Sequence, residues 1–151
     1  MSRTETYDVI IVGAGSIGTP MAFYMAKAGL SVLVIDQFMS TGQGSNKHAI
    51  GGIRATHSDP SKIHLCATSL ERLSHWQEEY GDDIEWLQGG YSYVAYEPDI
   101  EKTLKDLIAL QRSLGLDISW HSPEEIQALV PHISMEGLLG GTYSPGDGFA
   151  S

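Results

Sequence analysis

Three glycines with a fixed spacing follow a short apolar run near the start of the chain. Residues 9–12 are Val-Ile-Ile-Val, and Gly13, Gly15 and Gly18 then give the spacing G-x-G-x-x-G. At a turn from a parallel strand into a helix, the first glycine permits the tight turn, the second lets the backbone approach a pyrophosphate, and the third lets the helix pack close to the strand. The N–H groups and partial positive charge of the helix start face the phosphates. The spacing therefore predicts a β-α-β unit that binds a dinucleotide, with a purely structural glycine-rich turn as the alternative.

A second apolar run ends in an acidic residue at the position that such a unit needs. Residues 32–35 are Val-Leu-Val-Ile, and Asp36 follows directly. A carboxylate at this strand end can accept hydrogen bonds from an adenosine ribose. Between the two runs, apolar residues at helical spacing predict a helix over residues 16–28 that stops at Gly29. The motif and the acid together predict a dinucleotide site, and they fit NAD as well as FAD.

The composition excludes several kinds of partner. The chain has 151 residues, and 9 basic against 19 acidic residues give a formal net charge of -10. This length can bury one core, and the negative charge argues against nucleic acid or an anionic membrane surface as a partner. The single Cys66 rules out an intrachain disulfide, and the histidines show no metal-ligand spacing, so we expect no metal site. Residues 1–8 are polar and no apolar stretch approaches a membrane span in length, so we expect a cytoplasmic protein without a signal peptide.

An acid-free window follows the dinucleotide motif. Residues 37–58 contain no Asp or Glu, but they contain four glycines, two histidines, Lys47 and Arg54. In a chain with a large negative charge, fixed cations on a loose backbone indicate an anion site for phosphate oxygens or a substrate carboxylate. Arg54 can pair with a carboxylate in bidentate fashion. The alternative is a solvated surface loop with this composition by chance.

The dinucleotide motif, Asp36 and residues 44–54 together resemble a known family. Residues 44–54 read Gly-Ser-Asn-Lys-His-Ala-Ile-Gly-Gly-Ile-Arg, which is similar to the amino-acid oxidase superfamily of FAD enzymes. This group includes sarcosine oxidase, glycine oxidase, dimethylglycine oxidase and the β subunits of multimeric sarcosine oxidase and proline dehydrogenase. The resemblance implies FAD as cofactor and oxidation of the C–N bond of a small amino acid or N-methylated amino acid by hydride transfer to FAD. The FAD-binding residues that it implies are Gly13, Gly15, Ser16, Ile17, Gly18, Asp36, Gln37, Ser45, Asn46, Lys47, Gly51, Gly52 and Ile53.

Two further residues carry roles that the resemblance implies. Arg54 matches the position at which sarcosine-oxidase-like members place an arginine for the substrate carboxylate. His48, in Ser45-Asn-Lys-His-Ala, is similar to a segment of the dimethylglycine-oxidising members, in which that histidine can be the covalent flavin link. A noncovalent flavin contact or loop packing is the alternative role of His48.

The rest of the chain alternates between predicted helices and strands. Apolar spacing, caps and glycine stops predict helices over residues 60–80, 100–114 and 123–130 and strands over residues 91–96, 117–121 and 138–143. The third of these helices follows the capping box Ser122-Pro-Glu-Glu125, and a turn is predicted over residues 144–148.

The predicted fold class is α/β, with a Rossmann-type FAD-binding β-α-β unit followed by the start of an α+β substrate domain. The predicted domains are residues 1–88 for the FAD-binding part, 89–143 for part of the substrate domain and 144–151 for the return toward the FAD domain. Members of the family that the chain resembles are more than twice as long. We therefore expect the remainder of the enzyme or a second chain to complete the fold, and we expect no turnover from residues 1–151 alone.

Two other functions stay open on the sequence. A flavin monooxygenase or an NAD-linked dehydrogenase shares the first motif. A noncatalytic subunit that holds the cofactor and docks to a catalytic partner is the other possibility. The acid-free window argues mildly against that subunit, because a scaffold has no use for a placed Arg54. The expected small-molecule partner is therefore an amino acid or amine.

Overall fold

The computed structural model describes residues 5–150. Residues 1–4 belong to the predicted polar N-terminus and first domain, and residue 151 ends the predicted return segment; these five positions lie outside the described residues. The chain divides into two compact units, Met1–Ile50 and Gly51–Ser151. The domain boundary predicted after residue 88 stays a prediction.

The first unit contains the predicted β-α-β motif. Strand β1 (Val9–Val12) leads through the glycine turn into helix α1 (Gly18–Lys27), which returns to strand β2 (Val32–Ile35). The two strands are parallel and paired in register over all four residues of each, and α1 packs on both. The Rossmann-type β-α-β unit is therefore confirmed. Helix α1 begins two residues later than predicted, because the residues before Gly18 form the turn.

Several apolar side chains of the first unit are exposed. Ile11 is buried, whereas Ile10, Val12 and Ile35 on the same two strands are 59%, 81% and 45% exposed. Parallel sheets in α/β folds are normally covered on both faces and read as continuous apolar runs. These exposed strand residues are surfaces of the kind that further strands and helices cover in a complete doubly wound sheet.

The second unit combines helices with antiparallel strands. Its central sheet has the strand order β4 (Tyr91–Ala95), β6 (Gly140–Ser144), β5 (Ser119–His121), and a separate two-stranded ladder joins β3 (Gly52–Ile53) to β7 (Gly148–Phe149). The described elements of this unit are β3 (Gly52–Ile53), α2 (Pro60–Ser74), α3 (Trp76–Tyr80), β4 (Tyr91–Ala95), α4 (Pro98–Ser113), β5 (Ser119–His121), α5 (Pro123–Leu129), β6 (Gly140–Ser144) and β7 (Gly148–Phe149).

The strands and helices predicted for this unit are largely confirmed. Helix α5 begins with the predicted capping box: the Ser122 Oγ accepts from the Glu125 N–H at 3.3 Å, and the Glu125 Oε2 accepts from the Ser122 N–H at 2.8 Å. Helix α4 is followed by Gly115 in the left-handed region, at φ 89°. Ile63, Ile118 and Ile126 are fully buried. No helix within residues 5–150 is long and apolar enough to span a bilayer.

The single helix predicted over residues 60–80 is wrong in one respect. It is broken at His75, between α2 and α3. The Ser74 Oγ donates to the Glu71 carbonyl oxygen at 2.9 Å, and the His75 Nδ1 lies 2.8 Å from the same oxygen. Such side-chain bonds compete with the helical N–H donors for a carbonyl and end the ladder locally. Helix α3 then ends before Gly81, as predicted.

Candidate functional site

The glycine turn after β1 requires glycine at two positions, for two different reasons. Gly13 has φ +106°, a region that side chains disfavour. A Cβ at Gly18 would overlap the Gly13 carbonyl oxygen, because α1 packs directly against the end of β1. The turn and the close helix–strand packing predicted for these two glycines are confirmed.

The N–H groups of this turn divide into bonded and free donors. The Ala14 N–H donates to the Asp36 Oδ2 at 2.6 Å, and the Ser16 N–H donates to the Asn46 Oδ1 at 3.1 Å. Within the described residues, the N–H groups of Gly15, Ile17 and Gly18 have no acceptor. The first N–H groups of a helix lack intrahelical acceptors and, with the helix dipole, favour an anion. The turn therefore presents free donors to a phosphate.

Asp36 lies at the end of β2, beside the glycine turn. Its carboxylate accepts from the N–H groups of Ala14 and Phe38, the latter at 2.8 Å, and these bonds lower the pKa of the carboxyl from its ordinary value. Asp36 is therefore ionised at neutral pH. Two oxygens offer about four acceptor sites, so acceptor capacity remains for ribose hydroxyls.

These groups border one cleft in the first unit, with a volume of about 940 Å³. A cleft of this size falls in the range of small-molecule and cofactor sites. The structure brings nine of the predicted FAD-binding residues together along it, namely Gly13, Gly15, Ser16, Ile17, Gly18, Asp36, Gln37, Ser45 and Asn46. The residues present therefore fit the ADP half of FAD.

The 3₁₀ helix Ser45–His48 contains two of the predicted residues that line the cleft and two that do not. Ser45 and Asn46 line the cleft, whereas Lys47 and His48 do not, and both are exposed. Asn46 covers the glycine turn, since a Cβ at Gly15 would lie 3.3 Å from its Oδ1. The flavin contact or covalent link of His48 stays a prediction.

In the second unit, residues 51–53 are held by backbone pairing. Gly52 and Ile53 pair with Phe149 and Gly148 of β7, and the Ala150 N–H donates to the Gly51 carbonyl oxygen at 3.1 Å. This ladder fixes the backbone directly before Arg54. The FAD contacts predicted for the three residues stay a prediction.

Arg54 lies over two aromatic rings at the edge of a small cavity. Its guanidinium is 5.4 Å from the ring centroid of Tyr91 and 5.5 Å from that of Tyr93, within the range of cation–π attraction. Arg54 and Tyr93 both line a cavity of about 250 Å³ in the second unit. The stacking restricts the orientation of the guanidinium, and the binding of a substrate carboxylate by Arg54 stays a prediction.

His57, also in the acid-free window, lines the same cavity. Burial, together with the positive charges of Arg54 and Lys62, lowers the pKa of its imidazole. His57 is therefore neutral at pH 7 and adds no positive charge to the site. Its backbone carbonyl oxygen accepts from the Gln111 Nε2 at 3.0 Å.

Asp147 is a buried carboxylate beside Arg54 that the sequence did not reveal. It is 1% exposed, and it accepts from the Ala55 N–H at 3.0 Å and from the Thr56 Oγ1 at 3.2 Å. Burial raises the pKa of the Asp147 carboxyl, against its hydrogen bonds and the positive charge of Arg54. Asp147 thus ties the turn before β7 to the residues that follow Arg54.

The stability of the second unit should depend on the ionisation of Asp147. Its pKa is higher in the folded chain than the ordinary value of 3.8, so the folded state holds the proton more tightly. Protonation of Asp147 therefore stabilises the folded state. This stabilisation is complete below pH 3.8 and is lost as the pH rises through the raised pKa. We expect the free energy of unfolding of the native protein to fall relative to that of Asp147→Asn over this range. Chemical denaturation of both proteins at a series of pH values measures the difference, and a constant difference would contradict it.

Comparison with known proteins shows the family of this chain. Residues 8–151 match the profile of the family described as FAD dependent oxidoreductase, DAO. The chain belongs to this family. The FAD-enzyme family that the motifs resemble is thereby confirmed, as is the α/β fold class that begins with a Rossmann-type unit.

Three of the proteins to which this chain is similar are named for small amino acids. It is 32% identical over 156 residues to dimethylglycine dehydrogenase, mitochondrial, of Rattus norvegicus, covering 97% of this chain and 17% of that protein. It is 26% identical to sarcosine dehydrogenase, mitochondrial, of Mus musculus, covering 95% of this chain and 16% of that protein. The structure of L-proline dehydrogenase from P. horikoshii matches with a TM-score of 0.89 and 29% identity over 97% of this chain and 38% of that one. The chain thus spans about a sixth of these two curated relatives.

Gln111 lines the cavity of the second unit and was not predicted as a site residue, although the sequence contains a signal for it. Leu104 and Leu107 also line the cavity, and Gln111 continues their spacing along α4 at a position where the stripe calls for an apolar residue. Gln111 is nevertheless 4% exposed. A polar residue on an apolar helical stripe is the signal that was available for this DAO-family chain.

Proposed function

We propose that this protein is an FAD-dependent oxidoreductase that oxidises the C–N bond of a small amino acid or N-methylated amino acid, of the sarcosine, dimethylglycine, glycine or proline class. The observation that carries the proposal is the set of free N–H donors at Gly15, Ile17 and Gly18 beside the ionised Asp36. Membership of the FAD dependent oxidoreductase family supports the cofactor. The relatives that are named for these amino acids support the substrate class.

In this proposal each unit has its own task. The glycine turn binds the pyrophosphate through backbone N–H groups, and Asp36 accepts hydrogen bonds from the adenosine ribose. When bound, FAD supplies the hydride acceptor. Arg54 binds the substrate carboxylate, and its stacking on Tyr91 and Tyr93 holds the guanidinium in one orientation. The ladder of β3 with β7 and the buried Asp147 fix the backbone on both sides of Arg54.

The remainder of an enzyme, in the same polypeptide or in a second chain, is part of the proposal. The chain spans 16–17% of the curated relatives and 38% of the L-proline dehydrogenase structure. The exposed apolar residues on β1 and β2 support the proposal that further parts of the enzyme cover these strands, since burial of apolar area is favourable by about 25 cal/mol per Å². We propose that residues 1–151 alone show no turnover and that the complete protein acts in the cytoplasm.

The absorption spectrum of the purified full-length protein tests the proposal. We expect flavin bands that bleach anaerobically when sarcosine, dimethylglycine, glycine or proline is added. A protein with no flavin that binds NAD instead would overturn the cofactor assignment. Flavin bands that none of these amino acids bleaches would overturn the substrate class and leave the cofactor assignment standing.

Acid precipitation of the same protein tests the role of His48. A covalent link leaves flavin in the pellet, and His48→Ala then releases it to the supernatant. If the native protein releases all of its flavin, the covalent link is excluded and His48 serves as a noncovalent contact or in loop packing.

A further inference from the structure

Two residues that line the cavity of the second unit each have one buried polar atom, and these two atoms are of opposite hydrogen-bonding type. The Arg54 Nε is a donor and the Gln111 Oε1 is an acceptor, and neither has a partner among the described residues. Both residues line the same cavity of about 250 Å³. Buried polar groups in native proteins are almost always paired, so an unpaired donor and an unpaired acceptor at one cavity need an explanation.

The Gln111 amide has one orientation in this structure. Its Nε2 donates to the His57 carbonyl oxygen at 3.0 Å, so turning the amide over would set two oxygens against each other. The Oε1 is therefore the atom left without a partner. Packing does not account for this oxygen, because Leu104 and Leu107 show that apolar side chains serve on the same face of α4.

The size and lining of the cavity define what it can hold. About 250 Å³ is smaller than the sites of about 300–1,000 Å³ that take drug-sized ligands, so an occupant of amino-acid size fits. A ligand that carries an anionic group would pair with Arg54. A ligand that also carries an N–H would supply the donor that the Gln111 Oε1 lacks. An amino acid carries both groups.

We propose that Gln111 is a specificity-determining residue of this cavity, whose Oε1 accepts a hydrogen bond from the amine N–H of an amino acid while Arg54 binds its carboxylate. This inference rests on the proposed function and names the recognition of the amine at the same site. The accepted ligands are primary, secondary or protonated tertiary amines. A quaternary amine such as glycine betaine carries the carboxylate but has no N–H, so it is discriminated against.

Calorimetric binding to the full-length protein tests Gln111 separately from turnover. We expect sarcosine to bind about 10-fold or more tightly than glycine betaine, as a hydrogen bond to a charged group implies. Gln111→Met removes the acceptor and keeps a similar side-chain volume. We expect it to weaken the binding of sarcosine until the affinities for sarcosine and glycine betaine differ by no more than about 2-fold. The affinity for glycine betaine should stay unchanged. If the native preference for sarcosine came only from the bulk of the betaine methyl groups, Gln111→Met would keep that preference. The exposed Gln127→Met on α5 is the matched control and should behave as the native protein.

Gln111→Glu separates recognition from folding. It keeps an acceptor for the amine but loses the bond to the His57 carbonyl, so it should retain the preference for sarcosine. Equal loss of the preference in Gln111→Met and Gln111→Glu would show that Gln111 has a structural role. An unchanged preference in Gln111→Met would show that a water molecule or nothing pairs with the Oε1. Either result overturns the inference. If sarcosine bleaches the flavin but the preference is unaltered, only this inference fails. If no amino acid binds or bleaches, the proposed function fails with it.

Discussion

Gly18→Ala is expected to abolish flavin binding and to destabilise the first unit. A Cβ at this position would overlap the Gly13 carbonyl oxygen and would lie 3.2 Å from the Ile11 Cγ2. The overlap is with backbone, which cannot rotate away as a flexible side chain can. Relief would need α1 to move from β1, and overpacking of this kind costs about 3 kcal/mol, at the upper end of the usual range. The displaced helix start would also carry the free N–H groups of Ile17 and Gly18 away from the phosphates.

Flavin absorbance per chain and thermal unfolding of the full-length protein measure both effects. Gly89→Ala is the matched control, because Gly89 has ordinary φ and nothing lies within 4 Å of a Cβ built there. We expect Gly89→Ala to retain the flavin content and the unfolding temperature of the native protein. Gly18→Ala should contain no flavin and should unfold at a lower temperature. A flavin content equal to that of the native protein in Gly18→Ala would contradict the assignment of the glycine turn to the pyrophosphate.

Local patterns determined the elements that the sequence predicted well. The β-α-β unit follows from two apolar runs, three glycines and Asp36, all within about thirty residues of one another. Helix α5 follows from Ser122 and Glu125, which satisfy each other's backbone donors without help from the rest of the chain. The break at His75 depends instead on side-chain bonds to the Glu71 carbonyl oxygen, which no apolar periodicity reveals.

Features made by distant contacts escaped prediction. Strands β3 and β7 have two residues each, too short for an alternating pattern, and they exist because the chain returns to pair with itself. Asp147 contacts Ala55, 92 positions away in sequence. In the sequence it reads only as part of a turn, because nothing local shows that the turn is buried against residues 55 and 56.

Two aspartates at strand ends, Asp36 after β2 and Asp147 before β7, show that the residue type alone does not determine the chemistry of a carboxyl group. Asp36 is exposed, and N–H bonds lower the pKa of its carboxyl, so it stays ionised and available to hydroxyl groups. Asp147 also accepts an N–H bond, yet burial dominates and raises the pKa of its carboxyl. Desolvation favours the neutral form and hydrogen bonds favour the charged one, so their balance decides the direction. The first aspartate therefore suits ligand binding, and the second suits fixing the backbone beside Arg54.

Arg54→Lys should reduce kcat/KM for amino-acid oxidation by the full-length protein about 100-fold, corresponding to about 3 kcal/mol. Lysine keeps the charge but loses the planar fork and the stacking over Tyr91 and Tyr93, which lie 5.4 and 5.5 Å from the guanidinium. Because Arg54 binds the carboxylate in this proposal, the loss should fall mainly on KM. The flavin content should not change, since the glycine turn and Asp36 are untouched.

Steady-state kinetics with an amino acid and with the matching amine that lacks the carboxylate separate this role from a structural one. Arg54→Lys should penalise the amino acid and leave the weaker turnover of the amine unchanged. Arg72→Lys, on the exposed surface of α2, is the matched control and should leave both substrates unaffected. Equal losses for the amino acid and the amine in Arg54→Lys would mean that Arg54 supports the second unit through its packing on the two tyrosines, because only a carboxylate partner makes the penalty depend on the carboxylate.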